Sequence, residues 1–385
     1  MRQNIIKQID GYDEVLREIE TSRRYNIDVT ADKGEAASYI NRLHPEKLDL
    51  KINRIIDQTP STKTLRLIPV NQNLPPFQAG QYITIYLETD GIRTGRPYSI
   101  SSAPNQTGYY DITVRRMPNG LASNYLLDAV KPGDLLQSSG PNGHFVYNPI
   151  IFDKTLIFIA GGSGITPFMS MIREITDRGL DRDVYLFYGN KSLNDIIFHE
   201  ELTGLSCQFE NIHYIPVIEN PGSGSGGISG FITGDIIKNR IKDIRNKTFM
   251  LCGPPALYSF CMAELEKIGV PSKKIKREIY GEPVNIWQSP GWPENVNPDD
   301  VFTVTIKGGG SFAARAGDSL LTSLEKFGII QPFLCRSGEC SLCRTKIISG
   351  KVYQPPESLV RKSDLQFGYV HSCVSYPLEN LEIMI

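Results

Sequence analysis

The chain has 385 residues, 40% of them hydrophobic and 22% charged, with a formal net charge of −1. That length accommodates two to four domains with substantial cores, and the even charge balance excludes a bulk attraction to nucleic acid or to an anionic membrane. The start, "MRQNIIKQID", lacks the uninterrupted apolar core of a signal peptide, and no apolar run approaches the roughly 18 residues of a membrane span, so a cytoplasmic protein is expected.

Residues 1–46 read as a helical extension. Ile5, Ile9, Tyr12, Leu16 and Ile19 recur at alternating steps of four and three, an apolar stripe on one helical face that Gly11 weakens. Such a stripe packs on the body of this subunit or its neighbour, or docks a partner protein; no chemistry is visible in it.

Residues 47–150 change to short strands. Leu48, Leu50 and Ile52 alternate with polar residues, as do Ile83, Ile85 and Leu87 with Tyr82, Thr84 and Tyr86, and "PPFQAGQ", "KPGD" and "GPNG" punctuate them. This pattern predicts a small antiparallel barrel. In "GRPYSISSAP" (95–104), alternation sends Arg96, Tyr98 and Ile100 to one face and Pro97 and Ser99 to the other. An aromatic body, a cation and a hydroxyl suit a flavin's ring, phosphate and N5, although an edge strand with a surface arginine has the same residues. In "RRMPNGLASNYL" (115–126), Gly120 and Ser123 stand where a predicted helix begins. Free N–H groups and the helix dipole favour a phosphate there, and an ordinary N-cap shares that signature.

From 151 to 282 apolar strands ("KTLIFIA", "DVYLFYG", "IHYIPVI", "KTFMLCG") alternate with helical stretches, which predicts a parallel sheet with crossover helices. "AGGSGITPFMSM" (160–171) follows the first strand with glycines that permit close approach of a ligand. It is not the G-x-G-x-x-G fingerprint, so a standard Rossmann reading is not licensed. "LCGPPALYSF" (251–260) repeats the strand–turn–helix arrangement, and ligands of open parallel sheets collect at such carboxyl ends. Taken alone, Cys252 reads as buried packing. "PGSGSGGISG" (221–230) reads as a flexible loop, and the proline-rich residues 283–299 as the linker to a last segment, 300–385.

That segment opens with a strand, a glycine-rich turn, a second strand and a helix capped near Asp318 and stopped at Gly328. Cytoplasmic thiols are kept reduced, so the seven cysteines argue against a disulfide framework. Cys207, Cys252 and Cys261 are scattered, whereas Cys335, Cys340, Cys343 and Cys373 fall close together. Structural zinc draws on two ligand pairs, but Cys373 stands alone with only His371 near it. C-x4-C-x2-C with one distant cysteine is the plant-type spacing for a [2Fe–2S] cluster. Small Ser337, Gly338 and Ser341 let the loop wrap a cluster with its amides facing the sulfurs. Zinc and plain buried thiols are the alternatives.

Over its whole length this last segment resembles a plant-type ferredoxin, with balanced charge where free ferredoxins are acidic; a tethered carrier finds its donor through local concentration instead. R-x-Y-S, G-x-x-S, GGxGITP and CGPP, in this order over residues 48–282, resemble the ferredoxin–NADP⁺ reductase superfamily. The whole chain is similar to the one-chain reductases that serve oxygenases. The implied fold is a multidomain α/β and β protein: flavin-binding barrel (47–150), nicotinamide domain (151–282) and β-grasp [2Fe–2S] domain. The resemblance implies that Arg96, Pro97, Tyr98 and Ser99 hold the flavin. Arg115 or Arg116, Gly120, Ala122, Ser123 and Asn124 would hold its phosphates, with Thr113 and Val114 also among the cofactor-binding residues. Gly162, Gly164, Ile165 and Thr166 would hold the dinucleotide, and Cys252, Gly253 and Pro254 its nicotinamide end. Tyr280, in "EIYG", would shield the flavin face and complete a catalytic set with Ser99 and Cys252. The G-x-x-S turn favours FAD over FMN. "YGNKSLND" (188–195) offers Lys191 and Ser192 without an arginine, which favours NADH over NADPH. The implied activity passes hydride to the flavin, then single electrons through the cluster to a partner protein such as an oxygenase or another terminal redox enzyme. A free flavin or ferric reductase and a redox-sensing regulator are the rival readings.

Overall fold

The computed structural model describes residues 11–25, 38–43, 45–71, 73–89, 91–221, 227–279, 281–282, 285–356, 358 and 360–385, and divides into two units, Met1–Glu46 and Lys47–Ile385. In the first unit the helix Tyr12–Arg24 starts after Gly11, whose φ of 86° suits a residue without a side chain. Asp13 and Glu14 in its first turn and Arg23 and Arg24 in its last complement the helix dipole, and none of its residues is buried. Ile5 and Ile9 of the expected stripe lie outside the described residues.

The second unit opens with an antiparallel sheet of β1 (Leu48–Thr59), β2 (Thr62–Pro69), β3 (Tyr82–Thr89), β4 (Ile92–Ser99), β5 (Tyr110–Arg115) and β6 (Leu135–Ser138), in the order β4-β3-β6-β1-β2-β5. A bridge between Ile100 and Ile112 joins its two ends and closes a barrel. Leu48, Leu50, Ile52, Ile83, Ile85 and Leu87 share its core, as period-two alternation requires. The opposite face of β3 is not left to solvent: Tyr82 and Thr84 are buried as well.

Next comes an all-parallel sheet: β7 (Thr155–Gly161), β8 (Asp183–Asn190), β9 (Ile212–Ile218), β10 (Ile228–Ser229), β11 (Lys247–Cys252) and β12 (Ile275–Glu278), ordered β10-β9-β8-β7-β11-β12. Apolar clusters cover both of its faces, which explains why Leu156 to Ala160 form a continuous hydrophobic run. The strand order reverses between β7 and β11, so the crevice outside their carboxyl ends is the switch point where such sheets bind ligands.

The last sheet contains β13 (Val301–Ile306), β14 (Ser311–Arg315), β15 (Arg344–Ser349), β17 (Tyr369–His371) and β19 (Leu381–Met384), ordered β14-β13-β19-β15-β17. A two-stranded ribbon of β16 (Val352–Tyr353) and β18 (Tyr376–Pro377) stands beside it. β13 and β19 are parallel neighbours, and Leu320 and Leu324 of the helix Leu320–Lys326 pack on Val304, Phe312 and Ile383. The cap of this helix, expected near Asp318, is the adjacent Ser319, whose hydroxyl accepts the Thr322 N–H at 3.1 Å. In the segment between the parallel sheet and this module, Ile286 and Trp292 pack on the module. Ile286 is fully buried with Tyr353 and Tyr376, and the Tyr353 hydroxyl donates to the Pro290 carbonyl at 2.8 Å. Among the described residues no helix is long and apolar enough to cross a membrane.

Candidate functional site

β4 carries the first group of candidate residues, and its register against β3 sets their places: Ser99 faces Tyr82, Tyr98 faces Ile83, Pro97 faces Thr84 and Arg96 faces Ile85. Ser99 is buried, Tyr98 packs against the barrel core, and Arg96 donates to the Thr94 hydroxyl at 2.6 Å and to the Gly95 carbonyl at 2.8 Å. Burial, reinforced by the charge of Arg336, holds the Arg96 guanidinium below its ordinary value. The side chains of Thr113 and Val114 are spent on the barrel. Thr113 shares hydroxyl hydrogen bonds with Thr64 at 2.8 Å and Ser101 at 3.2 Å, and Val114 is fully buried in the core. With both side chains engaged, what these two residues can offer a cofactor is backbone.

The two arginines that follow point to different places. Arg116 is held by Asp128 and by the Asn124 side chain at 3.1 Å. Arg115 reaches the other way, 3.8 Å from Asp195 and against the Gly162 turn, where a methyl on Gly162 would lie 2.5 Å from its Nη1. Gly120 opens a single α-turn, Leu121–Asn124, which continues as a wider π-turn over Tyr125–Ala129. Ser123 closes the turn, accepting the Met117 N–H at 3.1 Å and donating to the Gly120 carbonyl at 3.3 Å; Ala122 beside it is buried. The expected regular helix is therefore a short, tight segment.

The glycine turn after β7 and the Gly-Pro-Pro turn after β11 meet back to back at the switch point. A Cβ on Gly164 would fall 2.1 Å from the Cys252 carbonyl oxygen, and one on Gly253 would lie 3.2 Å from Gly161. Gly162 adopts a φ of 53°, which favours glycine, and its carbonyl accepts the Tyr188 hydroxyl at 2.7 Å. Thr166 donates to the Ser163 carbonyl at 3.0 Å as the helix Thr166–Asp177 begins, and Ile165 is buried beneath it. The Cys252 side chain is fully buried in the sheet core, so Gly253 and Pro254 form the open part of this turn. The Gly253 N–H donates to the Tyr258 hydroxyl at 3.0 Å, and that hydroxyl donates to the Glu278 carbonyl, tying the turn to the end of β12. Tyr280 lies outside the described residues. Ser170 and Arg173 of the helix after β7 donate to the Ser102 and Ser101 carbonyls, both at 2.7 Å, which holds the barrel against the parallel sheet beside the site.

The four clustered cysteines converge. Cys343 and Cys373 bring their sulfurs within 3.3 Å, and the Ser337 and Cys340 N–H groups donate to the Cys335 sulfur at 3.4 and 3.3 Å. Arg336, Gly338 and Ser341 all have positive φ, the backbone bends that wrap the loop. A hydrogen bond from Cys340 holds the Cys335 thiol well below the usual range. Among the described residues no three His, Cys, Asp or Glu side chains meet to hold a single metal ion. Cys335 also interacts with Cys373, so the four thiols form one connected group. Four soft donors with amides turned toward sulfur fit a two-iron cluster.

The cysteine loop is seated on the barrel through residues that the sequence did not flag. The Thr84 hydroxyl donates to the Leu334 carbonyl at 3.1 Å. Phe333 lies against Gly95 and edge-on to Tyr86, at 6.2 Å between centroids. Arg336, 1% exposed at its side chain, pairs with Glu282 at 2.6 Å and with Glu325, and donates to Thr94 at 3.0 Å. Burial opposes ionisation of both carboxyls with different outcomes. Glu282 is held below its usual range by Arg336, Arg96 and the Ser319 and Thr322 hydroxyls, whereas Glu325 is pushed above it. Tyr82, facing Ser99 across the strands, is raised by burial and then by the neighbouring Cys335 and Cys340. One β-hairpin therefore presents the flavin-type motif and the seat of the cysteine loop. The only sequence signal for this was the polar residue at every second position of β3.

A barrel with this strand, a parallel sheet with glycine turns at its switch point and a thiol loop between module and barrel define a flavin- and nicotinamide-dependent electron-transfer protein. Comparisons with known proteins agree. Residues 49–147 match the family described as "Oxidoreductase FAD-binding domain", residues 158–262 "Oxidoreductase NAD-binding domain" and residues 304–378 "2Fe-2S iron-sulfur cluster binding domain". The chain is 30% identical over 332 residues to an NADH oxidoreductase, HCR, of Escherichia coli strain K12, covering 86% of this chain and 96% of that one. It is 29% identical over 340 residues to a glycine betaine monooxygenase reductase subunit of Pseudomonas aeruginosa, covering 84% and 91%. The solved structure of phthalate dioxygenase reductase superposes with a TM-score of 0.66 at 26% identity, covering 88% of this chain and 97% of that one. The chain belongs to the ferredoxin–NADP⁺ reductase superfamily, among its one-chain flavin and [2Fe–2S] oxidoreductases. It is an NAD(P)H-dependent enzyme that uses FAD and a [2Fe–2S] cluster and delivers electrons to a redox partner.

Proposed function

We propose that this enzyme takes hydride from NADH and delivers electrons one at a time to the terminal component of an oxygenase system. One observation carries this reading. The cysteine loop has an inner side, with Cys335 at 4% exposure, seated on the barrel strand, and an outer side on which Leu342 is 47% exposed and Cys340 half-buried. Electrons can enter on the first side and leave on the second. The relatives named as monooxygenase reductases support an oxygenase as acceptor.

Bound cofactors supply hydride transfer and its division into single electrons, and the chain supplies position. Ser99, with Tyr98 and Arg96 on the same strand and Pro97 between them, orients the flavin ring. Gly120, Ala122, Ser123 and Asn124, with Arg116 and the backbone of Thr113 and Val114, line its phosphates. Gly162, Gly164, Ile165 and Thr166 cradle the dinucleotide. Cys252, Gly253 and Pro254 would hold the nicotinamide end of the dinucleotide, and hydride transfer needs its reacting atoms about 3–3.5 Å apart. Tyr280, by the family resemblance, would shield the flavin face and keep water from it until the nicotinamide enters. The Ser192 hydroxyl donates to Asp195 at 2.9 Å, and a carboxylate there opposes a 2′-phosphate, which supports NADH. Four thiolates to be kept reduced fit the cytoplasm.

Cys340→Ser tests the reading. The variant should retain wild-type NADH–ferricyanide activity and lose reduction of cytochrome c or of an oxygenase component. Equal loss of both activities, or retention of both, contradicts it. A redox sensor would instead oxidise NADH slowly even with ferricyanide.

A further inference from the structure

We propose that Arg336 is a positioning residue, whose buried guanidinium fastens the cluster loop to flavin strand β4 and to Glu282 and so fixes the path of electrons between flavin and cluster. This rests on β4 being the flavin strand. Arginine is almost never fully buried unless paired, and here its partners come from three separate parts of the chain. Glu282 follows the parallel sheet, Glu325 lies on the helix of the ferredoxin module, and Thr94 belongs to the barrel. Glu282 in turn accepts from Ser319 at 2.8 Å and Thr322 at 2.9 Å. All three modules therefore close on one cation, next in sequence to cluster ligand Cys335.

Two features say that this arginine serves placement rather than stability. Its backbone has a φ of 53°, strained for a residue with a side chain, where glycine would serve a loop that only had to wrap iron. Its Nε is buried and has no hydrogen-bond partner, so the site carries a desolvation cost that is only partly offset. Buried ion pairs contribute little net stability, and their best-attested use is to set register. The register here is tight. Phe333, Leu334 and Arg336 bracket Cys335 with contacts to Gly95, Thr84 and Thr94. The Thr94 hydroxyl that accepts from Arg336 also accepts from Arg96, so the flavin-side cation and the cluster-side cation share one anchor. The step this dock serves moves electrons only. NADH is oxidised to NAD⁺ with release of one proton, each of its two electrons passes singly to the external acceptor, and no bond forms or breaks in the dock.

The test compares Arg336→Gln and Thr94→Val with the wild-type holoenzyme after confirming full flavin and iron content. The NADH–ferricyanide rate should stay within about twofold, while stopped-flow reduction of the cluster slows by about tenfold or more, as small misplacements do. Hydrogen exchange in residues 82–99 should rise in both variants. Thr94→Val removes no charge, so its cluster midpoint potential should not move. Arg336→Lys should not rescue, because one ammonium cannot span Glu282, Glu325 and Thr94. Wild-type cluster reduction in both loaded variants overturns the inference, as does slowing in Thr94→Val that tracks an equal fall in ferricyanide activity. If Arg336→Gln fails to load iron, Thr94→Val decides alone. A wild-type enzyme without NADH–ferricyanide activity would instead overturn the functional reading beneath it.

Discussion

Gly164 stands so close to the Cys252 carbonyl that a methyl on its Cα would lie 2.1 Å from that oxygen. Backbone cannot swing aside as a side chain can, so Gly164→Ala must push the two nucleotide-side turns apart. We expect a loss of about 1–3 kcal/mol of stability, the usual range for overpacking, with a raised KM for NADH and intact flavin absorbance. Chemical denaturation and steady-state kinetics check it, and unchanged values would mean the turns separate freely. Asp195 sits near the same crevice, bonded to Ser192 and 3.8 Å from Arg115. We predict kcat/KM for NADH above that for NADPH, with the ratio narrowed in Asp195→Ser. A wild-type preference for NADPH would refute the role given to this carboxylate. At this scale the convergence of the four cysteines was the most legible feature, because C-x4-C-x2-C is a short, fixed spacing. Arg336, Glu282 and Glu325 were invisible, since their partners lie 11 to 242 residues away in sequence.

Among the elements, β3 shows where pattern reading succeeds and where it stops. Its alternation correctly separated Ile83, Ile85 and Leu87, which face the barrel core, from Tyr82, Thr84 and Tyr86. Period two says only that the second face is different, not that it is wet. Here that face seats another module, which demands hydroxyls and aromatic edges rather than charges. The helix Leu320–Lys326 repeats the lesson at its start. Ser319 caps it in the ordinary way while donating to Glu282 at 2.8 Å, so one hydroxyl serves both the helix and the inter-module dock. Ser319→Ala should cost about 1 kcal/mol as a lost N-cap and also slow cluster reduction by loosening Glu282. Thermal melting and stopped-flow traces read the two effects separately. A stability loss with unchanged cluster reduction would confine Ser319 to capping.

For the whole molecule, the difference between a tethered carrier and a docked one is the main departure from what the sequence suggested. Residues 283–299 read as a proline-rich linker, and composition alone could not show that Ile286 would be buried with Tyr353 and Tyr376. The contacts that hold the ferredoxin module to the barrel are buried: Arg336 and Glu325 are 1% and 4% exposed at their side chains. Salt screens exposed charges strongly and buried pairs much less. A carrier that left its seat and docked again across exposed charged surfaces in each cycle would therefore transfer electrons at a salt-dependent rate, and one held in its seat would not. We predict that cluster reduction by NADH within the holoenzyme varies by less than about twofold between about 0.01 M and about 1 M sodium chloride. Transfer to the external acceptor, which must form an encounter complex across an exposed face, should respond to the same change. Stopped-flow absorbance resolves the two steps. A steep salt dependence of the internal step would mean that the module leaves its seat in each cycle, and the dock at Arg336 would then be a resting arrangement rather than the conducting one.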